Sequence, residues 1–389
     1  MTSTFLRRAF LKKGALLTGG LFSLPGIFNT SAAAPATSPI LYGDGFHQPD
    51  QLAIETTPPD IKARLLANEN PFGPSPKAKK AIAESLDLAY QYPMKTGKQL
   101  EQMITEYEGV GKDQILMGAG SSPLLVAASL YAAKGTIVSA TPTYDAMLMH
   151  AEKMGTKVIK VPLTADYAFD LDAMEKVIDE STSLVYICNP NNPTATVTDN
   201  AKLKAFCERV SKKTTVMIDE AYIDYLPDPK GASLIGNLKK GQNLIVARTF
   251  SKLYGFAGLR VGYIIALPEM INKLSLYTAG PWSISYPALN AALAAYQDTA
   301  FLQSAYNKTM ESKKFLYETL KAEGYDYIPS SANFVMFPIK MEGPRFAEEM
   351  MKRGVGIRSW KFVGKDWCRV SIGKMEEMQA FAKAFKEIS

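Results

Sequence analysis

Histidine and cysteine are scarce in this sequence of 389 residues. The only histidines, His47 and His150, are too few for a histidine-rich metal site, and they leave little scope for a catalytic triad that needs a histidine base. The three cysteines, Cys188, Cys207 and Cys368, are odd in number and widely spaced, which fits neither a disulfide framework nor a zinc site. We therefore expect buried cysteines, no metal, and chemistry that rests on other residue types.

A concentrated basic stripe is also missing. The formal net charge is +6, but two arginines and two lysines within residues 1–34 supply four of these charges, and that segment has no Asp or Glu. Elsewhere basic residues are interspersed with acidic ones, so no surface is suited to neutralising a run of phosphates. We expect no nucleic-acid partner.

No hydrophobic run reaches the roughly 20 residues that a membrane-spanning helix needs. The apolar stretch Gly14–Phe28 is interrupted by Pro25 and followed by small residues at 30–36, which is typical of a cleaved secretory signal rather than an anchor. Within it, Leu6–Lys12 (LRRAFLK) resembles the twin-arginine (Tat) consensus. The sequence predicts a Tat signal peptide over residues 1–34, membrane contact only during export, and a periplasmic or otherwise exported protein.

Helical patterns alternate with short aliphatic runs from Lys77 onward, which predicts an α/β fold with a mostly parallel sheet. Seven such runs are present: Gln114–Met117, Thr136–Ala140, Lys157–Val161, Leu184–Cys188, Thr215–Asp219, Asn243–Ala247 and Val261–Ala266. After a long helical stretch at 287–323, the pattern becomes that of a smaller α+β domain. The predicted organisation is a signal at 1–34, an N-terminal segment at 35–68 that joins the small domain, a large domain at 69–282 and a small C-terminal domain at 283–389.

Polar segments follow three of the predicted strands: Asn-Pro-Asn-Asn-Pro-Thr at 189–194, Asp-Glu-Ala-Tyr at 219–222 and Thr-Phe-Ser-Lys at 249–252. Ligands in α/β sheets bind beyond the carboxyl ends of the strands, so these segments should meet in one crevice. A further segment, Gly118–Ser122, lies between a strand and a helix and offers backbone N–H groups and a helix dipole to a phosphate.

The order and spacing of these segments resemble the class I aminotransferases that use pyridoxal 5′-phosphate (PLP). Residues 251–263 are close to the cofactor-lysine signature of that family, and the resemblance extends from about residue 65 to residue 372. The segments 67–74, 92–93 and 369–373 resemble the branch that contains histidinol-phosphate aminotransferase. The resemblance implies the PLP-dependent transferase fold of type I, with a seven-stranded sheet in the large domain.

The resemblance also assigns roles around the cofactor ring. Lys252 would carry PLP and move the proton between the substrate and the cofactor. Asp219 would pair with the pyridine nitrogen, so that the ring can act as an electron sink. Asn192 and Tyr222 would bind the phenolic oxygen, and Tyr144 would stack on the ring.

The remaining roles concern phosphate and substrate. The resemblance implies that the phosphate is held by Gly120, Ser121, Ser122, Ser251 and Arg260, and by Tyr92 of a neighbouring subunit. A homodimer with shared active sites follows. Arg369 would bind the substrate α-carboxylate through its planar fork, which lysine lacks. Asn192 and Asn70 would also contact the substrate.

Two positions depart from the family pattern. Ser122 and Pro123 stand where the family has an acidic pair, and Pro123 lacks an N–H, so we expect a rearranged phosphate contact. Ala195 stands where the family has glycine, and it must either accept a positive φ or reshape the turn.

The expected reaction is transamination between an α-amino acid and a 2-oxo acid by a ping-pong mechanism. An aromatic or other ordinary amino acid is preferred to histidinol phosphate, because export would separate the enzyme from a cytoplasmic biosynthetic intermediate. Candidates to line the pocket are Tyr42, Phe46, Trp282 and Trp360. A PLP-dependent decarboxylase or lyase of the same fold is an alternative, and a non-catalytic PLP sensor is a second. The sequence does not specify the donor, the acceptor or the pathway.

Overall fold

The computed structural model describes residues 61–296 and 298–389, within which we number the helices and strands. The predicted signal at 1–34, residues 35–60 of the predicted N-terminal segment, and the pocket candidates Tyr42 and Phe46 lie outside the described residues. None of the described helices is long and apolar enough to cross a membrane.

Twelve strands are present in the described part of the chain. They are β1 (Ala63–Arg64), β2 (Ile115–Gly118), β3 (Thr136–Thr141), β4 (Val158–Pro162), β5 (Thr182–Cys188), β6 (Thr215–Asp219), β7 (Leu244–Thr249), β8 (Gly262–Ala266), β9 (Phe334–Ile339), β10 (Val355–Gly356), β11 (Arg358–Phe362) and β12 (Lys365–Ser371).

The helices cover the sheets. They are α1 (Pro76–Ser85), α2 (Met94–Glu108), α3 (Ser122–Tyr131), α4 (Ala146–Lys153), α5 (Leu171–Lys176), α6 (Asn200–Val210), α7 (Pro229–Ala232), α8 (Ile235–Leu238), α9 (Pro268–Ser275), α10 (Tyr286–Tyr296), α11 (Thr299–Ala322), α12 (Gly343–Lys352) and α13 (Met375–Lys386).

Seven strands form one sheet in the order β2-β8-β7-β6-β5-β3-β4, in which only β8 runs antiparallel to its neighbours. Every residue of β6, β7 and β8 is buried, as expected for short apolar runs covered on both faces by helices. The sheet confirms the predicted α/β fold, and each strand lies within two residues of its predicted run.

A second core lies against two small sheets. β9, β11 and β12 form an antiparallel sheet in the order β11-β12-β9, and β1 pairs in parallel with β10. Leu65, Leu316, Phe337 and Phe385 are fully buried in this core. The described residues before Asn68 thus pack with the C-terminal part of the chain.

The long helical stretch predicted at 287–323 is two helices. α10 packs against α1 and α2 and contributes Leu289 and Ala292 to the core of the seven-stranded sheet. α11 contributes Leu316 and Leu320 to the second core. The core of the larger sheet therefore extends as far as Ala295, whereas the domain boundary predicted at 282 stays a prediction.

Candidate active site

The three polar segments meet at one edge of the seven-stranded sheet. β5, β6 and β7 are adjacent and parallel. The last residues of β5 and β6 lie opposite each other, Cys188 against Asp219, and Asp219 lies opposite Ala247, two residues before the end of β7. The segments at 189–194, 219–222 and 249–252 leave these strands on the same side. The sheet topology therefore brings the predicted catalytic residues together.

Lys252 lies in the turn that follows β7. Its Nζ donates a hydrogen bond to the carbonyl oxygen of Asn68 at 3.3 Å and lies 5.1 Å from the centre of the Tyr222 ring. Burial, followed by the positive charge of Arg369, lowers the pKa of Lys252 from 10.5 to about 8. At pH 7 about a tenth of the amine is unprotonated, several hundred times the fraction in a lysine of ordinary pKa. This amine is suited to nucleophilic attack and to proton transfer.

Asp219 ends β6 and is only 2% exposed. Its carboxylate accepts hydrogen bonds from the Ala221 N–H at 3.1 Å and from the Tyr186 hydroxyl at 3.2 Å. Burial raises the pKa of Asp219 from 3.8 to about 6. Within residues 61–296 and 298–389, no basic side chain forms an ion pair with it. A buried carboxylate of this kind is suited to a cationic group of a ligand.

Arg369 is 1% exposed and extends from β12 toward the edge of the sheet. Its Nη1 donates to Asn192 Oδ1 at 2.6 Å, and its Nη2 donates to the Leu66 carbonyl oxygen at 3.0 Å. The guanidinium lies 4.6 Å from the centre of the Trp360 ring. Burial lowers the pKa of Arg369 to about 9, so it still carries its charge at neutral pH. The predicted carboxylate-binding arginine and the predicted ring-binding Asn192 are therefore in direct contact.

The turn after β6 is anchored by a buried ion pair. Arg248 donates to Glu220 through Nε at 2.7 Å and to Ser233 Oγ through Nη2 at 3.0 Å. Glu220 also accepts a hydrogen bond from the Leu234 N–H at 2.7 Å. The pair places Glu220, which directly follows Asp219, inside the protein and away from the crevice.

The phosphate loop predicted at 118–122 connects β2 to α3. Gly120 has a φ of +83°, and a Cβ at this position would collide with the guanidinium of Arg260. Ser121 occupies the position before α3, and Pro123 lies in its first turn, where the missing N–H would have no helical partner. Pro123 is therefore compatible with the helix start, whereas the rearranged phosphate contact stays a prediction.

Ser251 and Arg260 lie beside this loop. Arg260 Nη1 donates to Ser251 Oγ at 3.4 Å and to the Ala257 carbonyl oxygen at 2.9 Å. Arg260 is exposed and has a φ of +58°. The structure thus brings a guanidinium, a hydroxyl and a helix N-terminus together, which is the donor set that a phosphate requires.

Ala195, the second departure from the family pattern, adopts a left-handed backbone conformation. It has a φ of +59°, so alanine accepts the left-handed conformation at this position. Its N–H donates to the Asn191 carbonyl oxygen at 2.8 Å, and its own carbonyl oxygen accepts from the Ser331 N–H at 2.8 Å. These two hydrogen bonds hold the turn that carries Asn192.

The other predicted residues differ in how they are placed. Tyr144 packs at the edge of the main core, and burial raises its pKa to about 12. Asn70 is bonded to the turn that carries Lys252, because its Nδ2 donates to the Leu253 carbonyl oxygen at 2.6 Å. Its role in substrate binding stays a prediction.

Tyr92 is 79% exposed and contacts Trp282, itself 57% exposed, with ring centres 6.0 Å apart. Of the pocket candidates in the described residues, Trp360 lies at the site and Trp282 lies on the surface.

Three residues of the site were not predicted from the sequence, namely Tyr186, Asn68 and Arg358. Tyr186 binds Asp219, and Asn68 binds Tyr222. Trp360, a predicted pocket residue, covers Arg369. Arg358 lies opposite Arg369 in the β11–β12 pairing and lowers its pKa. Tyr186 gave a usable signal, because a tyrosine in a fully buried strand needs a partner for its hydroxyl group.

PLP fits this arrangement. Lys252, Arg260 and Arg369 outnumber Asp219, so the set carries net positive charge for a phosphate and a carboxylate. Asp219 would hold the pyridine nitrogen, Asn192 and Tyr222 the phenolic oxygen, and the 120–122 loop with Ser251 and Arg260 the phosphate. When bound, PLP supplies an electron sink for the bond that breaks at the substrate α-carbon.

Comparison with known proteins gives one family. The family model described as aminotransferase class I and II matches residues 60–385. The histidinol-phosphate aminotransferase of Moorella thermoacetica is 36% identical over 329 residues, which cover 84% of this chain and 85% of that protein. The enzyme of the same name from Brevibacillus brevis is 36% identical over 328 residues, covering 84% of this chain and 90% of that one.

Solved structures agree with this result. Histidinol-phosphate aminotransferase from Sinorhizobium meliloti in complex with pyridoxal-5′-phosphate has a TM-score of 0.80 and 25% identity, and the match covers 92% of this chain and all of that one. The enzyme of the same name from Clostridium acetobutylicum has a TM-score of 0.76 and 25% identity, with 83% and 98% covered. The chain therefore belongs to the class I and II aminotransferases and is a PLP-dependent aminotransferase.

Proposed function

We propose that the enzyme transfers an amino group from an α-amino acid, aromatic or otherwise ordinary, to a 2-oxo acid by a ping-pong mechanism. The observation that carries this proposal is the contact between Arg369 and Asn192, beside the amine of Lys252. The guanidinium can hold the carboxylate of either substrate in turn while Lys252 moves the proton at the α-carbon. Both half-reactions can then use one set of residues.

Trp360 supports a preference for an aromatic or other apolar side chain. Its indole ring lies over Arg369 and is partly buried against the cluster formed by Ile328, Met336 and Trp367. A substrate whose carboxylate binds Arg369 would have this ring close to it. Aromatic and aliphatic side chains would gain from contact with it.

Histidinol phosphate is a second candidate, favoured by a separate observation. The relatives described above carry that name, and Arg358 places a second guanidinium opposite Arg369. Two adjacent guanidinium groups suit a phosphate better than a single carboxylate. Against this candidate stands the proposed export, which would separate the enzyme from a cytoplasmic intermediate.

The test is an assay of the purified PLP-loaded enzyme against a panel of amino acids and histidinol phosphate, with 2-oxoglutarate as acceptor. Formation of glutamate names the donor, and kcat/KM ranks the candidates. The Lys252→Ala variant is the matched control. Release of carbon dioxide without glutamate would contradict transamination and favour a decarboxylase.

Export by the twin-arginine route is part of the proposal and rests on residues 6–12 and the small residues at 30–36. Replacing both Arg7 and Arg8 with lysine should leave the full-length protein in the cytoplasm, because the export receptor recognises the paired arginines. Fractionation of cells expressing either form, with a cytoplasmic marker enzyme as control, measures this. Equal distribution of the two forms would contradict the proposal.

A homodimer with shared sites is also proposed, and the exposure of Tyr92 and Trp282 supports it. If Tyr92 serves the partner's cofactor, a mixed dimer of the Tyr92→Ala and Lys252→Ala chains contains one intact site. Activity after the two chains are refolded together should exceed that of either variant refolded alone. No gain, in a preparation shown to contain mixed dimers, would contradict site sharing.

A further inference from the structure

Asn68 forms hydrogen bonds with four other residues, namely Lys252, Asn333, Ser371 and Tyr222. It is 1% exposed and adopts a φ of +54°. Its carbonyl oxygen accepts hydrogen bonds from Lys252 Nζ at 3.3 Å and from Asn333 Nδ2 at 3.1 Å. Its side chain joins Ser371, on β12, to Tyr222, which follows β6. One residue thus connects the strand of Arg369 to the cofactor side of the site.

The hydrogen bonds that link Ser371, Asn68 and Tyr222 have a direction, which is set by the backbone N–H of Asn68. The Asn68 N–H, which can only donate, bonds to Ser371 Oγ at 2.8 Å. The Ser371 hydroxyl can then donate to Asn68 Oδ1 at 3.0 Å, which orients the amide. The Nδ2 group therefore faces Tyr222 Oη, at 3.0 Å, as a donor.

The consequence concerns the hydroxyl proton of Tyr222. Because Asn68 Nδ2 already donates to the oxygen, the hydroxyl proton cannot point toward Asn68. Tyr222 Oη has no second hydrogen bond within the described ranges. The ionisable groups around it are Lys252, Arg369, Arg358, Tyr144, Tyr225 and Cys188. The proton is thus free to be donated to an oxygen of a ligand held on the side of Lys252.

We propose that Asn68 is a positioning residue that turns the hydroxyl proton of Tyr222 toward the phenolic oxygen of the cofactor. This inference rests on PLP binding at Lys252 and is independent of which substrate is used. Donation to the phenolic oxygen stabilises its negative charge and so weakens the hold of the bound cofactor on its proton. Loss of the donor should raise the pH midpoint at which the absorbance of the bound cofactor changes.

The backbone conformation selects the variants for the test. Glycine accepts a φ of +54° and keeps the carbonyl oxygen that binds Lys252, so Asn68→Gly removes only the side chain. Aspartate also tolerates this conformation and has the same shape, but its carboxylate can only accept, so Asn68→Asp should turn the Tyr222 proton away from the cofactor. Either variant tests the proposal if the other fails to fold.

The experiment titrates the absorbance of the PLP-loaded enzyme between pH 5 and 10 without substrate, in the wild type and in the Tyr222→Phe background. We expect Asn68→Gly and Asn68→Asp each to raise the midpoint by about one pH unit, a tenfold change in proton affinity. In the Tyr222→Phe background Asn68→Gly should cause no further shift, and Asn68→Asp should shift the midpoint less than in the wild type, because only its added negative charge then acts on the cofactor. Urea unfolding of the apoproteins shows whether each variant is folded.

Two results would overturn the proposal. A midpoint that does not move in folded Asn68 variants would show that Asn68 does not act on the cofactor. An equal shift in both backgrounds would show that it acts without Tyr222. If the wild-type protein lacked an absorbance band that disappears in Lys252→Ala, the cofactor assignment itself would fail, and this result is distinct from the other two.

Discussion

Replacement of Asp219 by asparagine should stabilise the apoprotein and slow amine transfer by the PLP-loaded enzyme. Asparagine has the shape of the native side chain and can keep both of its hydrogen bonds, since Oδ1 can accept from Ala221 and the Tyr186 hydroxyl can accept instead of donating. The substitution therefore isolates the charge. In the apoprotein that charge is buried and forms no ion pair with any described side chain, and in the loaded enzyme it would face a protonated ring nitrogen.

The magnitude follows from the pKa. Burial raises the pKa of Asp219 from 3.8 to about 6, so between these values the native apoprotein binds more protons than the unfolded chain. The free energy of unfolding of the wild-type apoprotein consequently falls as the pH rises from about 4 to about 6. The pKa difference corresponds to about 3 kcal/mol above pH 6, which asparagine should recover. In the loaded enzyme, loss of an ion pair worth about 4 kcal/mol should slow amine transfer by about a thousandfold.

Urea unfolding of both apoproteins at pH 4 and pH 8 measures the first effect. We expect similar stabilities at pH 4 and a more stable Asp219→Asn apoprotein at pH 8. Assay of the loaded enzymes measures the second effect. The reasoning is refuted if the variant apoprotein is no more stable than the wild type at pH 8, because the carboxylate would then carry no burial penalty.

Three further changes test other parts of the site. Arg369→Lys should raise the KM for the amino acid by about a hundredfold, because lysine lacks the fork that binds two carboxylate oxygens, and an unchanged KM would show that the carboxylate binds elsewhere. Arg248→Met should lower the free energy of unfolding by about 3–5 kcal/mol, because it leaves a buried glutamate without its ion pair. Arg209→Met, at an exposed ion pair, should lower it far less, and equal losses in urea unfolding would contradict this reading. Tyr186→Phe should raise the pH of the acidic limb of kcat/KM by up to about one unit, because the Asp219 carboxylate loses a hydrogen bond. Tyr225→Phe, whose hydroxyl has no hydrogen-bond partner among the described residues, is the control that should not shift it.

Much of the site was predictable because its residues follow strands. Asp219, Asn192 and Lys252 occur just after short apolar runs, and parallel strands bring such positions to one edge without further information. The sequence also placed the predicted phosphate loop directly before α3. These relations depend on local patterns and on a general rule of sheet topology.

The contacts that escaped prediction join distant parts of the chain. Asn68 and Ser371 are 303 positions apart, and nothing in either segment specifies the pairing. Arg358 and Trp360 belong to β11, a partly exposed edge strand whose alternation gives no hint of a neighbouring arginine. The two helices in place of one long stretch were missed because neither glycine nor proline marks the break between Tyr296 and Thr299.

The pairing of β1 with β10 has a consequence for how the chain folds as it is synthesised. Ala63 lies opposite Val355, so nearly three hundred residues must be made before β1 meets its partner. At about 5–20 residues per second, β1 waits roughly 15–60 s, during which the seven-stranded sheet can already form. The long loop that must close also predicts slow completion of the smaller core. Protein released before its last hundred residues are made would expose Leu65 and its neighbours, so recognition of incomplete chains by chaperones should depend on this segment.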